Sequence, residues 1–178
     1  MAEVLDEFQS VYPSASLLLT QLPKLQPRFY SISSSPNYLK NVIHLTLGVV
    51  EYQPLGKSMH YGVCSKWLDE ISDKTRVPAF IRKAPSFQMP TDVSLPIVMV
   101  GAGTGIAPFR SFWQERMIQS KKSSENYDFG EMYLYFGCRQ QNVDDLYKNE
   151  IKQLINEKVI SSYYTAFSRE PNRKKVII

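Results

Sequence analysis

The chain has 178 residues, enough for one full domain or two small ones, and its 43% hydrophobic share supports a buried core. A net charge of +4 is too mild for a nucleic-acid binder, and no apolar run nears the ~20 residues that span a bilayer. Cys64 and Cys138 lie far apart with neither metal-ligand spacing nor a disulfide framework, and the N-terminus lacks a basic stretch followed by an apolar run. These features predict a soluble, cytoplasmic chain with reduced thiols, no signal peptide and no metal.

In chain order, residues 28–34 alternate as a strand does. Arg28, Tyr30 and Ile32 fall on one face, and Phe29, Ser31 and Ser33 on the other. Residues 42–50 alternate as well, gathering Ile43, Leu45, Leu47 and Val49. A short helix is predicted over 63–71, where Val63, Trp67, Leu68 and Ile71 share a face, followed by a strand at 77–82. This first part reads as antiparallel β structure. A Pro-bounded linker, 90–96, then divides the chain into units of 1–92 and 93–178.

Beyond the linker the pattern changes. A continuous apolar run at 97–100 predicts a strand buried on both faces, then a Gly-rich turn and a helix over 106–119. A strand at 131–137, a helix over 143–158 and a strand at 161–167 follow. Alternating strands and helices imply a parallel sheet with right-handed crossovers.

The strongest chemical signal is Gly101-Ala102-Gly103-Thr104-Gly105, between a buried strand and a helix. Glycines let backbone approach a phosphate, and a helix N-terminus offers free N–H groups and a favourable dipole. A tight turn that binds nothing would look similar. The loop lacks the Gly-Lys-Ser/Thr of a Walker loop and departs from G-x-G-x-x-G. An NAD site usually places an acid at the end of the next strand, for the ribose 2′-hydroxyl. Here that strand ends Phe136-Gly137-Cys138-Arg139-Gln140, and the following one ends Ser168-Arg169. Arg139 is expected to face the ligand. Two arginines and a hydroxyl suit a 2′-phosphate, so NADP is favoured over NAD; two exposed loop arginines are the alternative. In the first part, Arg28 is suited to a pyrophosphate and Tyr30 to stacking on a flat ring. Val63, Cys64 and the Ser65 hydroxyl open a helix that offers a second phosphate site, or an ordinary N-cap. Arg169, Arg173, Lys174 and Lys175 crowd the last ten residues, either as a solvated tail or as a further anion contact. His44 and His60 have no evident partner and are read as structural.

The runs LQPRFYSISSSP, GVCSKWL, IRKAPSF, GAGTGIAPFRSFWQER, YFGCRQ and AFSREP strongly resemble the reductase part of nitric oxide synthases. That part lies within the ferredoxin–NADP reductase-like superfamily, with NADPH–cytochrome P450 reductase as a cousin. The resemblance runs over almost the whole chain. It implies part of an FAD-binding β barrel followed by part of an α/β parallel-sheet NADP-binding domain. The activity implied is hydride transfer from NADPH to FAD, with electrons then passing to FMN and haem for nitric oxide synthesis from arginine.

By the same resemblance, Arg28, Phe29, Tyr30 and Ser31 form an FAD motif, with Tyr30 on the flavin ring and Ser31, the catalytic candidate, near its reactive nitrogen. Phe29 stands where the family has another Tyr. Thr46 and Gly48 would line the FAD site, and Val63, Cys64 and Ser65 the pyrophosphate. Gly103, Thr104 and Gly105 would hold NADP phosphate, while Arg139, Ser168, Arg169 and Lys175 would hold the rest, including the 2′-phosphate. The implied partners are FMN and haem domains, with calmodulin acting through a site outside this chain. The chain is expected to be a fragment, because the family's remaining barrel and NADP-domain strands are not among its residues. A P450-reductase-like diflavin enzyme, or an inactive chain that binds a full-length subunit, stand as alternatives.

Overall fold

A computed structural model describes residues 2–122 and 128–170, the first three by backbone alone. The second part holds the folded core. Strand β3 (Ile97–Ala102), β4 (Met132–Cys138) and β5 (Ser162–Phe167) form a parallel sheet in the order β3-β4-β5. Ile97 pairs with Met132 and Tyr133 with Ser162, so all three strands end on the same side.

Helix α4 (Ala107–Lys122) connects β3 to β4, and α5 (Lys148–Asn156) connects β4 to β5. Two crossovers of one hand that advance in one direction put both helices on one face of the sheet. Ile97, Met99, Met132, Leu134 and Phe136 pack there against Ile106, Trp113, Met117, Ile151 and Leu154. The consequence corrects the expectation that β3 is buried on both faces. Its residues alternate, with Met99 fully buried and Val98 and Val100 each 63% exposed. On the open face the rings of Tyr135 and Tyr164 stack 4.8 Å apart.

A 3₁₀ turn, Gly103–Ile106, precedes α4, whose Pro108 lies in the first turn where an N–H has no intrahelical partner to lose. The predicted 143–158 helix begins instead at Lys148. Tyr147 adopts φ 60, a left-handed conformation that ends the preceding turns at residues 140–146.

The first part is far less regular. Two short helices, α1 (Ala2–Glu7) and α2 (Ala15–Gln21), open it; the Ser14 hydroxyl caps α2 by accepting from Leu17 N–H. Strands β1 (Glu51–Tyr52) and β2 (His60–Tyr61) pair antiparallel, and α3 (Val63–Glu70) follows. Residues 28–34 and 42–50 meet at one antiparallel bridge, Ile32 to Leu45, and 77–82 is not a strand. The alternating apolar side chains are present but not covered: Ile43 is 53% exposed and Ile81 70%. A ladder needs a partner along its length; between these segments the bridge is the one pairing among the described residues, and beyond it the Val50 carbonyl accepts from Gly62 N–H at 2.8 Å.

Candidate functional site

At the C-terminal ends of the parallel strands, a glycine-rich turn leaves room for a ligand. Gly101 is buried against the turn; a Cβ there would stand 3.0 Å from the Gly105 carbonyl oxygen. Gly103 has φ +53, which glycine adopts without strain, and a Cβ at Gly103 or Gly105 would meet nothing within 4 Å. The turn is therefore tight below and open above, where the N-terminus of α4 begins. Open space beside free helix N–H groups fits a phosphate.

Arg139, Ser168 and Arg169 come together because β4 and β5 continue their pairing past the strands. Ser168 N–H donates to the Cys138 carbonyl and Arg169 N–H to the Arg139 carbonyl, both at 2.9 Å. The Arg139 guanidinium, however, is already engaged. Its Nη2 and Nε donate to the two Asp144 oxygens at 2.6 and 3.1 Å. Asp144 also accepts from Gln140 N–H at 3.3 Å. The hydrogen bond from Arg139, with its charge, holds the Asp144 carboxyl below the usual carboxylate range, and Arg169 adds to this. Lys175 lies outside the described residues.

In the first part, the predicted alternation at residues 28–30 is present without a ladder. Phe29 turns to one side, its ring edge-on to Phe80 at 5.8 Å and under the Arg82 guanidinium at 5.1 Å. Tyr30 turns to the other, toward the N-terminus of α3. Partial burial and a hydrogen bond with Cys64 push its hydroxyl pKa up, against the pull of Arg28. Arg28 donates to the Gln26 carbonyl at 2.9 Å, and Ser31 is exposed. The Ser65 hydroxyl is spent on the backbone, accepting from Val50 N–H at 3.1 Å and donating to the Gly62 carbonyl at 3.2 Å. The free donors at this helix end are therefore backbone N–H groups. Gly62 caps α3 with no side-chain hydrogen bond to them, and a Cβ on Gly62 would collide with the Ser65 hydroxyl at 2.6 Å and Val50 at 2.8 Å, so only a glycine fits between them.

The two sets of residues meet at a seam. A side chain on Gly48 would start 3.5 Å from the Thr104 methyl. Thr46 hydrogen bonds with the Tyr147 hydroxyl at 2.5 Å. What holds this seam carries no local sequence signal, because its contacts join residues remote in the chain. Arg110 on α4 forms a bidentate pair with Glu150 on α5, reaches the Ser33 carbonyl at 3.4 Å and His44 Nδ1 at 3.2 Å, and lies over the Tyr147 ring at 4.7 Å. Trp113 Nε1 donates to the same Glu150 at 2.8 Å. Beside it, Gln114 accepts from Ser35 N–H, and Glu115 accepts from the Ser35 hydroxyl and the Asn37 amide. Ser33, Ser34 and Ser35 are buried here. The only sequence signal was negative: three small hydroxyl residues can enter a helix interface that long side chains cannot.

Residues 1–67 match the family model described as FAD binding domain, and residues 99–177 that described as oxidoreductase NAD-binding domain. Over 99% of its length the chain is similar to inducible nitric oxide synthases: 44% identical in Gallus gallus, 45% in Homo sapiens and 43% in Mus musculus. It spans 15–16% of the length of those relatives. Among the described residues, no helix is long and apolar enough to cross a membrane.

Proposed function

We propose that the chain is a segment of an FAD- and NADPH-dependent flavoprotein oxidoreductase and that it brings the two cofactors together across the Gly48–Thr104 seam for hydride transfer from NADPH to FAD. The observation that carries this reading is that one segment of the first part touches both helix starts: a Cβ on Gly48 would lie 3.5 Å from Thr104 in the glycine-rich turn before α4, and Val50, two residues on, is hydrogen-bonded to Gly62 and Ser65 at the start of α3. Bound there, nicotinamide and flavin supply the hydride donor and acceptor, and the chain's contribution is position and field.

On the flavin side, Arg28 and the N–H groups of Val63, Cys64 and Ser65 would hold the diphosphate. Tyr30 would stack on the flavin, with Ser31 as the catalytic residue near its reactive nitrogen, Phe29 bracing the strand, and Thr46 and Gly48 lining the site. On the nicotinamide side, Gly103, Thr104 and Gly105 would take the diphosphate, and Arg139, Ser168, Arg169 and Lys175 the 2′-phosphate. The bridge at Ile32–Leu45 and the β1–β2 pair support the first part as a portion of an FAD-binding barrel. In the parent protein, electrons would pass singly through an FMN domain to a haem that makes nitric oxide, in the cytoplasm; similarity to inducible nitric oxide synthases supports the nitric oxide step.

Ferricyanide reduction tests the reading. The FAD-loaded protein should reduce ferricyanide with NADPH, far more slowly with NADH, and lose most of the rate on Tyr30→Ala. A rate indifferent to the coenzyme and to Tyr30 would overturn it.

A further inference from the structure

Asp144 is paired with Arg139, one of the two arginines assigned to the 2′-phosphate, and feels the charge of the other, Arg169. Its carboxylate takes both hydrogen bonds that the Arg139 guanidinium fork presents, at 2.6 and 3.1 Å, and a backbone N–H from Gln140 besides. The Arg169 backbone is bonded to that of Arg139 at 2.9 Å, which brings the second cation to the same carboxylate. A planar, bidentate, doubly charged-assisted grip is how a guanidinium holds a phosphate oxygen pair. Asp144 has the geometry and charge of the ligand on an arm of the chain itself.

We propose that Asp144 is an internal substitute for the 2′-phosphate: it occupies Arg139 in the free protein and must be displaced when a 2′-phosphorylated nucleotide binds. The proposal rests on the assignment of Arg139 to that phosphate. It makes Asp144 a specificity-determining residue, because the cost of displacement falls only on ligands that need the guanidinium. A nucleotide with a bare 2′-hydroxyl leaves the pair intact and meets a carboxylate able to accept from that hydroxyl. Asp144 thereby lowers the preference for the phosphorylated coenzyme and keeps two cations from repelling each other in the empty site. The Arg139 side chain is 59% exposed and that of Asp144 19%, so the pair is weak enough to open without unfolding anything around it.

Calorimetric titration of the full chain with 2′,5′-ADP and with 5′-ADP provides the test. Asp144→Asn should tighten 2′,5′-ADP by about two- to fivefold, the ratio that corresponds to an exposed ion pair, and leave 5′-ADP unchanged or slightly weaker. Asp144→Glu, which keeps the charge, should stay near the original affinity. With Arg139→Ala already in place, the gain from Asp144→Asn should fall by more than half. Weaker or unchanged binding of 2′,5′-ADP by Asp144→Asn, while Arg139→Ala weakens it, would show that Asp144 orients the arginine and does not compete with ligand. If Arg139→Ala leaves 2′,5′-ADP binding unchanged, the phosphate assignment fails, and this proposal with it.

Discussion

Arg139 shows how much of a residue's role its sequence position conveys. Its place at the end of β4, beside Arg169 at the end of β5, followed from strand order and is how the structure sets it. Its pairing with Asp144 did not follow, because a five-residue loop can bring back any of its polar side chains. Replacing Arg139 and Arg169 together by Ala should weaken NADPH binding by about 2–5 kcal/mol and spare NADH, since only the phosphorylated ribose calls on both charges. Equal losses in parallel titrations of the two coenzymes would refute the assignment. Cys138 offers a second test at this scale. Burial, with Asp145, Asp144 and Glu170 nearby, pushes its thiol from the ordinary 9.0 up to about 11. The folded chain thus keeps a proton that the unfolded chain loses first. This group's effect on stability is flat below pH 9.0 and turns destabilising as pH rises from there toward about 11. In a Cys64→Ser variant, alkylation of the native thiol should have its midpoint near the upper value and in urea near the lower one. A native midpoint at or below the ordinary value would contradict the burial argument.

At the scale of elements, those of the second part were legible because their signals are local. A continuous apolar run, a glycine turn and helical spacing each act within a few residues, and β3, α4, β4 and β5 fall within a few residues of expectation. The start of α5 was not legible, since Tyr147 gives up a helical conformation for contacts with Thr46 and Arg110, residues remote in sequence. Holding a non-glycine residue at φ 60 costs on the order of 1 kcal/mol, and the ring contacts must offset it. The strands predicted at 28–34, 42–50 and 77–82 depend on neighbours, which no periodicity guarantees. The α4–α5 pair of Arg110 and Glu150 should behave as one unit with Trp113. Glu150→Ala strands a half-buried guanidinium and an indole N–H, and should cost about 2–4 kcal/mol in urea unfolding; Glu150→Gln, which still accepts from Trp113, should cost about half as much. A double-mutant cycle with Arg110→Ala should give a coupling above about 1 kcal/mol. Additive losses would show that Arg110 and Glu150 do not act as one unit.

Over the whole molecule, burial is uneven. The core lies on one face of the sheet, while Val98, Val100, Tyr135 and Tyr164 line the other, and among the described residues no strand pairs with the outer edge of β3. An open edge beside an apolar face favours association between copies. Light scattering of the isolated chain should show mass rising with concentration, and Val98→Lys with Val100→Lys should suppress the rise. A concentration-independent monomer would contradict this reading. Sequence pattern predicted a change of structure near residue 90 and a glycine-rich turn between β3 and α4, but not the seam, whose contacts cross more than 60 residues of chain, from His44 to Arg110 and from Thr46 to Tyr147. That seam is where the account is most exposed to test. Anaerobic titration of the FAD-loaded protein, followed by the flavin's visible absorbance, measures hydride arrival directly. NADPH should bleach the flavin stoichiometrically, NADH should need a large excess, and Arg139→Ala with Arg169→Ala should erase the difference. A flavin that stays oxidised under excess NADPH, or that bleaches equally with both coenzymes, would contradict it.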